Sequence, residues 1–380
     1  MQKLIYLDNA ATTPLHKEAF AKMQPYLLGG FGNADSPHAL GRQAAGAVDT
    51  ARDTIAETLH AKTNEIYFTS GGTEADNWAI LGGARGAKKR GKTHVLISPI
   101  EHHAALYAAE TLKGEGFEVE YLPVGKDGRV QTEEVKARLK ESTALVCVMA
   151  VNNETGVRQP IEEIAAAVKD TGALFFVDAV QAYPHEKIDV KAWGVDMLSV
   201  SSHKICGPKG VGALYLRSGV KIEKLVGGGE QERGLRGGTL NVPAIVGFGE
   251  AARLLEENRA CTERRVKELC NRFLDGVKGL GVRVNGEKNY RTAPILNLRV
   301  LGVDNATLLY RADLAGLMLA AGSACSSASV KPSHVLTAMG LSDSQAKESV
   351  RVSVGAHNTA EEIDEAVKIF KKIVAELRKE

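Results

Sequence analysis

The sequence predicts an α/β protein in which a large domain surrounds a mainly parallel seven-stranded sheet and a smaller α+β domain follows. Three observations predict it. Seven short apolar runs between residues 65 and 216 alternate with amphipathic helical stretches, the pattern of βαβ units with ligands at the strand ends. A long helical stretch from about Val242 to Val277 then breaks the alternation, and a shorter mix of strands and helices closes the chain. We expect residues 15–255 to form the large domain, and residues 1–14 with 256–380 to form the small one.

Taken in order, residues 15–60 read as helix and loop, interrupted by Gly29–Asn33 and Ser36–His38. Strands are expected at Glu65–Ser70, His94–Ser98, Phe117–Leu122, Ala144–Val151, Ala173–Val177, Met197–Val200 and Gly212–Leu216. Helices follow the first two, from Thr73 and from about His103. In the last third, strands are expected near Val282, at Pro294–Arg299 and at Val350–Val354. The final helix opens with a capping box, Thr359-Ala-Glu-Glu362, and Ile363, Val367, Phe370, Val374 and Leu377 fall on one docking face.

Composition excludes several classes. The apolar share of 44% and charged share of 25% suit a globular core with a solvated surface. A net charge of +2 gives no reason to expect nucleic acid or an anionic membrane as partner. No apolar run approaches the roughly 18 residues of a spanning helix, and the N-terminus lacks a signal-peptide core, so a cytoplasmic protein is expected. The five cysteines include no Cys-x-x-Cys pair, so neither a disulfide framework nor a metal site is expected. Gly86–Thr93 fits a phosphate-loop pattern, but a helix precedes it and a strand follows, which inverts the required context.

The chemistry gathers around Ser201-Ser-His-Lys204, at a strand end walled by apolar runs. A lysine there is open to desolvation, which frees its amine as a nucleophile. Thr69–Asp76 runs strand, Gly-Gly, helix, so the amides of Gly72 and Thr73 and the Thr73 hydroxyl suit a phosphate. Asp178 ends the strand Leu174–Asp178, with Gln181 just beyond. A carboxylate at that tip invites a cation. A lysine that carries the cofactor, paired with an acid for a pyridinium, is the protein signature of pyridoxal 5'-phosphate (PLP) chemistry. His102 is placed to stack on a ring or move protons, and Asn153 offers an amide to a ring oxygen. Cys325 stands in a loop of small residues, Ala320–Ser329, and Arg351 is a candidate clamp for a carboxylate.

Together these motifs resemble the cysteine desulfurases of the NifS/IscS type, which are fold-type-I PLP-dependent transferases. The resemblance runs through Leu7–Pro14, Phe31–Asn33, Thr69–Glu74, Glu101-His102, Val151–Glu154, Asp178–Gln181, Ser201–Gly210, Arg236–Asn241, Gly322–Cys325 and Arg351–Ser353. It implies a homodimer that converts L-cysteine to L-alanine. Lys204 would carry PLP, His102 would stack on its ring, and Asp178 would face the ring nitrogen. Asn153 and Gln181 would serve the ring oxygen. Thr73, Ser201 and His203 would hold the phosphate, joined by Thr239 of the other subunit. Asn33 and Arg351 would bind the substrate carboxylate. Cys325 would take the sulfur as a persulfide and pass it to an acceptor protein.

The chain departs from the family pattern at four places. Ala34-Asp-Ser-Pro37 replaces the usual Pro-Ser-Ser, Cys206 stands where an aromatic residue is usual, and Ala356-His357 replaces Arg-Phe or Arg-Tyr. The chain also ends at its last docking helix, without the tail of scaffold-binding members, so an iron–sulfur scaffold and a tRNA-thiolation enzyme are equal expectations as acceptor. The alternatives in the same fold are a selenocysteine lyase and an aminotransferase.

Overall fold

A computed structural model describes residues 4–292, 294–322 and 331–379. The strands are β1 (Ile5–Tyr6), β2 (Ile66–Thr69), β3 (His94–Ile97), β4 (Glu118–Tyr121), β5 (Thr143–Cys147), β6 (Leu174–Asp178), β7 (Met197–Ser201), β8 (Gly212–Leu216), β9 (Val282–Asn285), β10 (Ile295–Val300), β11 (Leu317–Met318) and β12 (Ser349–Ser353). The helices are α1 (Lys17–Leu28), α2 (Ala39–Thr58), α3 (Gly72–Asn77), α4 (Gly83–Lys88), α5 (His103–Gly114), α6 (Thr132–Arg138), α7 (Ile161–Val168), α8 (Val242–Gly276), α9 (Asn305–Leu314), α10 (His334–Ala338), α11 (Asp343–Ala346) and α12 (Ala360–Leu377).

The main sheet has the order β2-β8-β7-β6-β5-β3-β4. It is parallel from β7 through β4, and β8 runs antiparallel to both of its neighbours. The middle strands read as unbroken apolar runs because both faces are covered. In β6, Phe175 and Val177 pack into the layer of α2, α7 and α8, while Leu174 and Phe176 pack under α3, α4 and α5. The helical run that starts at Gly72 continues through a π-helical turn, Trp78–Gly82, into α4. This α4 precedes β3, which places the phosphate-loop look-alike at a helix C-terminus.

A separate buried cluster joins Ile5 and Leu7 to the far half of α8, to β10 and β12, and to Phe370 and Val374 of α12. It includes β1, the start of the chain, because β1 pairs with β11. Helix α8 bridges the two cores: Phe248 and Ala252 belong to the first, Val266 and Phe273 to the second. Its start is fixed by Asn241, whose side chain caps Ala244 N at 3.3 Å, with Pro243 in the first turn. The capping box of α12 is formed by Thr359 and Glu362.

From β1 the chain crosses back to the main sheet. Thr13 donates from both its amide (3.0 Å) and its hydroxyl (2.8 Å) to the His203 carbonyl, and its hydroxyl accepts from Cys206 N at 2.8 Å. The segment after Leu7 is thereby tied to the turn that carries Lys204.

Candidate active site

The C-terminal ends of β3, β5, β6 and β7, with the start of α3, enclose a cleft. Gly72, Thr73, His102, Asn153, Asp178, Gln181, Ser201, His203, Lys204 and Arg351 all line it, as the sequence reading expects of one site.

Gly72 is required by close approach: a Cβ there would meet Val180 Cγ2 at 2.7 Å. The next turn of the chain is anchored by Glu74, which accepts from Ser70 N (2.9 Å) and pairs bidentately with Arg236 (2.8 and 3.0 Å). Arg236 thus fastens the Gly-rich loop that bears Thr239. Thr239 itself is exposed and does not line the cleft of its own chain. Asn33 is likewise not brought to the cleft. It is exposed, and its side chain closes a local turn by accepting from Asp35 N at 3.0 Å. Cys325 lies outside the described residues.

Lys204 leaves β7 on a single 3-10 turn and donates to the carbonyl of Ala11 (2.9 Å) and to that of Ala10. His102 caps α5 by accepting from Ala104 N through Nδ1 at 3.2 Å, so the ring is held and its proton sits on Nε2. Burial, with Lys204 and His103 adding to it, pushes His102 down to about 4, so the imidazole is neutral near pH 7. His203 is also pushed down to about 4, by burial and by Lys204 and Lys209, and its Nδ1 contacts the Thr12 hydroxyl at 3.1 Å. The neighbouring pair Asn152 and Asn153 divides its labour. Asn152 is fully buried, bonding the Ile100 carbonyl and the amides of Glu154 and Thr155, which turns Asn153 toward the cleft.

Under Asp178 lies a group of acids that the sequence reading did not assign. Asp178, Asp76 and Glu101 are all buried. The Ser199 hydroxyl donates to Asp76 at 2.6 Å, and Glu101 accepts from Met149 N at 2.7 Å. Burial raises Asp178 to about 6, with the Val180 amide and Lys204 pulling the other way. Burial and the charge of Asp178 raise Asp76 well above its ordinary value. The same two causes push Glu101 up to about 8. At neutral pH the negative charge therefore concentrates on Asp178, the member with the easiest ionisation.

Arg351 is 1% exposed, and it holds Asp8 at 2.7 Å and the Asn153 carbonyl at 2.9 Å, leaving its Nε buried without a partner among the described residues. Asp8 was missed in the sequence because its partner is 343 residues away. The only signal was the acid at the head of the Leu7–Pro14 motif. At the opposite edge of the sheet, His94, Glu118 and Glu120 lie within metal-binding reach of one another. Lys140 already pairs with Glu118 (2.6 Å) and Arg138 with Glu120 (3.0 Å), which neutralises both carboxylates.

The class-V aminotransferase family model matches residues 5–366, and the chain belongs to that family. Within it, the chain falls among the cysteine desulfurases. It is 44% identical to the cysteine desulfurase IscS of Methanosarcina thermophila, over 99% of this chain and 93% of that one. It is 46% identical to the putative cysteine desulfurase IscS 1 of Bacillus subtilis, over 98% and 99%. Among solved structures it superposes on a NifS-like protein with a TM-score of 0.93 at 34% identity, covering 99% of this chain and 100% of the other. A structure described as SspA in complex with cysteine matches with a TM-score of 0.84 at 34% identity, over 93% and 99%. Among the described residues, no helix is long and apolar enough to cross a membrane.

Proposed function

We propose that this chain is a PLP-dependent cysteine desulfurase that converts L-cysteine to L-alanine and retains the sulfur on Cys325. The observation that carries the reading is the convergence on one cleft of a lysine, a strand-end acid, a neutral histidine, a helix N-terminus and a buried arginine. The fit to PLP is supported by orphaned buried atoms. Gln181 Oε1 and Ser201 Oγ are buried in the wall of the cleft with no hydrogen-bond partner among the described residues, and such atoms are costly unless a ligand meets them.

PLP, when bound, supplies a carbonyl for the substrate amine and an electron sink. Lys204 would hold it and then move protons at the substrate. Asp178 would keep the ring nitrogen protonated, and the neutral acids at Asp76 and Glu101 would leave that charge undiluted. His102, fixed by its cap, would lie on the ring and offer Nε2–H. Gly72, Thr73, Ser201 and His203 would take the phosphate, with Thr239 supplied by a second copy of the chain. Asn153 and Gln181 would meet the ring oxygen. Arg351 would bind the substrate carboxylate, and Asp8 would fix the plane of its guanidinium, with Asn33 contributed to the same carboxylate. The thiolate of Cys325 would attack the substrate sulfur, forming an S–S bond as the C–S bond breaks, so the enzyme persulfide and alanine account for every atom. The sulfur acceptor would be an iron–sulfur scaffold or a tRNA-thiolation enzyme, met in the cytoplasm. We also assign residues 15–255 to the large domain and 1–14 with 256–380 to the small one, a division supported by the two separate cores along α8.

The test is product analysis with L-cysteine as sole substrate, run beside a 2-oxoacid amino-acceptor assay. Stoichiometric alanine and sulfide in the presence of a thiol reductant are expected. Transfer of the amino group to the 2-oxoacid, with no sulfur released, would identify an aminotransferase instead.

A further inference from the structure

A second cavity, of about 540 Å³, lies between the two cores. It shares Ala10, Gln181 and Lys204 with the cleft and is otherwise lined by other residues. Its volume falls within the range of small-molecule sites. Two of its lining residues are Cys206 and Ala356. Both side chains are small, so they leave room at this part of the wall. Cys206 sits at φ +61°, a left-handed conformation that fixes the direction of its side chain.

The inner wall is cationic and incompletely partnered. Arg291 lines the cavity, yet its guanidinium meets no hydrogen-bond or ion-pair acceptor among the described residues. Burial pulls its pKa down, with Glu287 only partly opposing. Arg259 is held by Glu256 at 3.0 Å and by the Glu186 carbonyl at 2.8 Å, and its Nη2 is buried with no partner. Asn9, 7% exposed, also lines the cavity and has a buried, unpartnered Oδ1. Of the acids present, Glu186 is matched by Arg158 at 3.5 Å, while Glu18 and Glu263 stand on the exposed rim with Lys267. The remaining wall is aliphatic, with Leu254, Leu255, Val266 and Ile295. A half-buried guanidinium that meets no acceptor among the described residues, beside the buried and unpartnered Nη2 of Arg259, is the feature a planar carboxylate satisfies best, and the aliphatic wall asks for a hydrocarbon body attached to it.

We propose that this cavity is a second small-molecule site, which takes an organic monocarboxylate with its anionic end on Arg291 and its body in the space beside Cys206 and Ala356. The site does not depend on the reaction proposed above. It adjoins Lys204 from outside the cleft.

The test uses the PLP-loaded enzyme and reads alkylation of Cys206 by iodoacetamide, peptide by peptide, with exposed Cys261 as internal control. The probes are propionate, pyruvate and benzoate, which carry no amine and do not condense with the cofactor. At ten times its dissociation constant a ligand should slow Cys206 labelling about tenfold and leave Cys261 unchanged. Arg291→Ala should abolish the protection while cysteine turnover persists, and Arg351→Ala should keep it. Ala356→Arg, which refills the cavity, should also abolish it and covers the case in which Arg291→Ala does not fold. No protection by any probe at millimolar concentrations would overturn the inference. So would protection that survives Arg291→Ala or disappears in Arg351→Ala. Cofactor absorbance, recorded in parallel, reports separately on the cleft.

Discussion

The cleft draws its wall from the C-terminal ends of parallel strands in one sheet, whereas the larger cavity draws its wall from α8, the crossing segment after β1, and loops of both cores. In the first, the ionisable groups are each held by a partner within the protein. Asp8 holds Arg351, Ser199 holds Asp76, and Met149 N holds Glu101. In the second, the guanidinium of Arg291 meets no acceptor among the described residues. Lys204 and Gln181 belong to both walls. The difference teaches that a sheet edge builds a pre-organised chemical site, while the seam between two cores leaves room that single substitutions open or close.

The largest effect should separate the two walls outright. Lys204→Ala removes the amine proposed to carry the cofactor and move protons, and should lower cysteine turnover by about 10³-fold or more, checked by steady-state alanine production. Ala356→Arg on the other wall should leave turnover within about twofold in the same assay. Equal losses would show that the two chambers are one functional site.

Next is Asp178→Asn, which removes the negative charge proposed to face the cofactor's ring nitrogen. A loss of roughly 10²-fold in kcat is expected, with the cofactor spectrum altered as its ring nitrogen loses its proton. Glu101→Gln, which mimics the neutral acid, should retain most of the activity. A deeper loss in Glu101→Gln than in Asp178→Asn would reverse the assignment of charge within the cluster.

The third prediction concerns stability. Glu101 is raised from 4.5 to about 8 in the folded chain. A raised carboxyl contributes stability that is fully present below about pH 4.5 and is lost as pH rises through 8. The linked free energy is on the order of 5 kcal/mol. Denaturant unfolding of the apoprotein at pH 5, 6.5 and 8 should therefore show Glu101→Gln gaining on the parent chain as pH rises. A difference independent of pH would show that Glu101 ionises normally. The fourth effect is on the anchor of β2. Arg52 pairs bidentately with buried Glu232 at 2.7 Å, so Arg52→Ala should cost about 3 kcal/mol in the same unfolding measurement.

Much of the cleft was legible because its residues follow strand ends, where chain order and apolar runs announce the position of each side chain. Gly72, Asp178, Ser201 and Lys204 are of this kind. Asp8 and the neutral role of Glu101 were not legible, since both depend on contacts between segments far apart in the chain. Asn33 and Thr239 were nominated by resemblance alone, and in a single chain both lie on the surface away from the cleft. Cys206 and Ala356 were visible as departures from a pattern. Only the fold reveals that the two positions, 150 residues apart, line the same cavity.

The most direct test of the central claim is a single turnover of the PLP-loaded protein with one equivalent of L-cysteine, quenched with a thiol-blocking reagent and mapped by peptide mass spectrometry. The account predicts one alanine per chain and one added sulfur on the peptide containing Cys325, with no sulfur on Cys206. Alanine formed with no sulfur on Cys325, or sulfur carried by Cys206 and unaffected by Cys325→Ser, would contradict it.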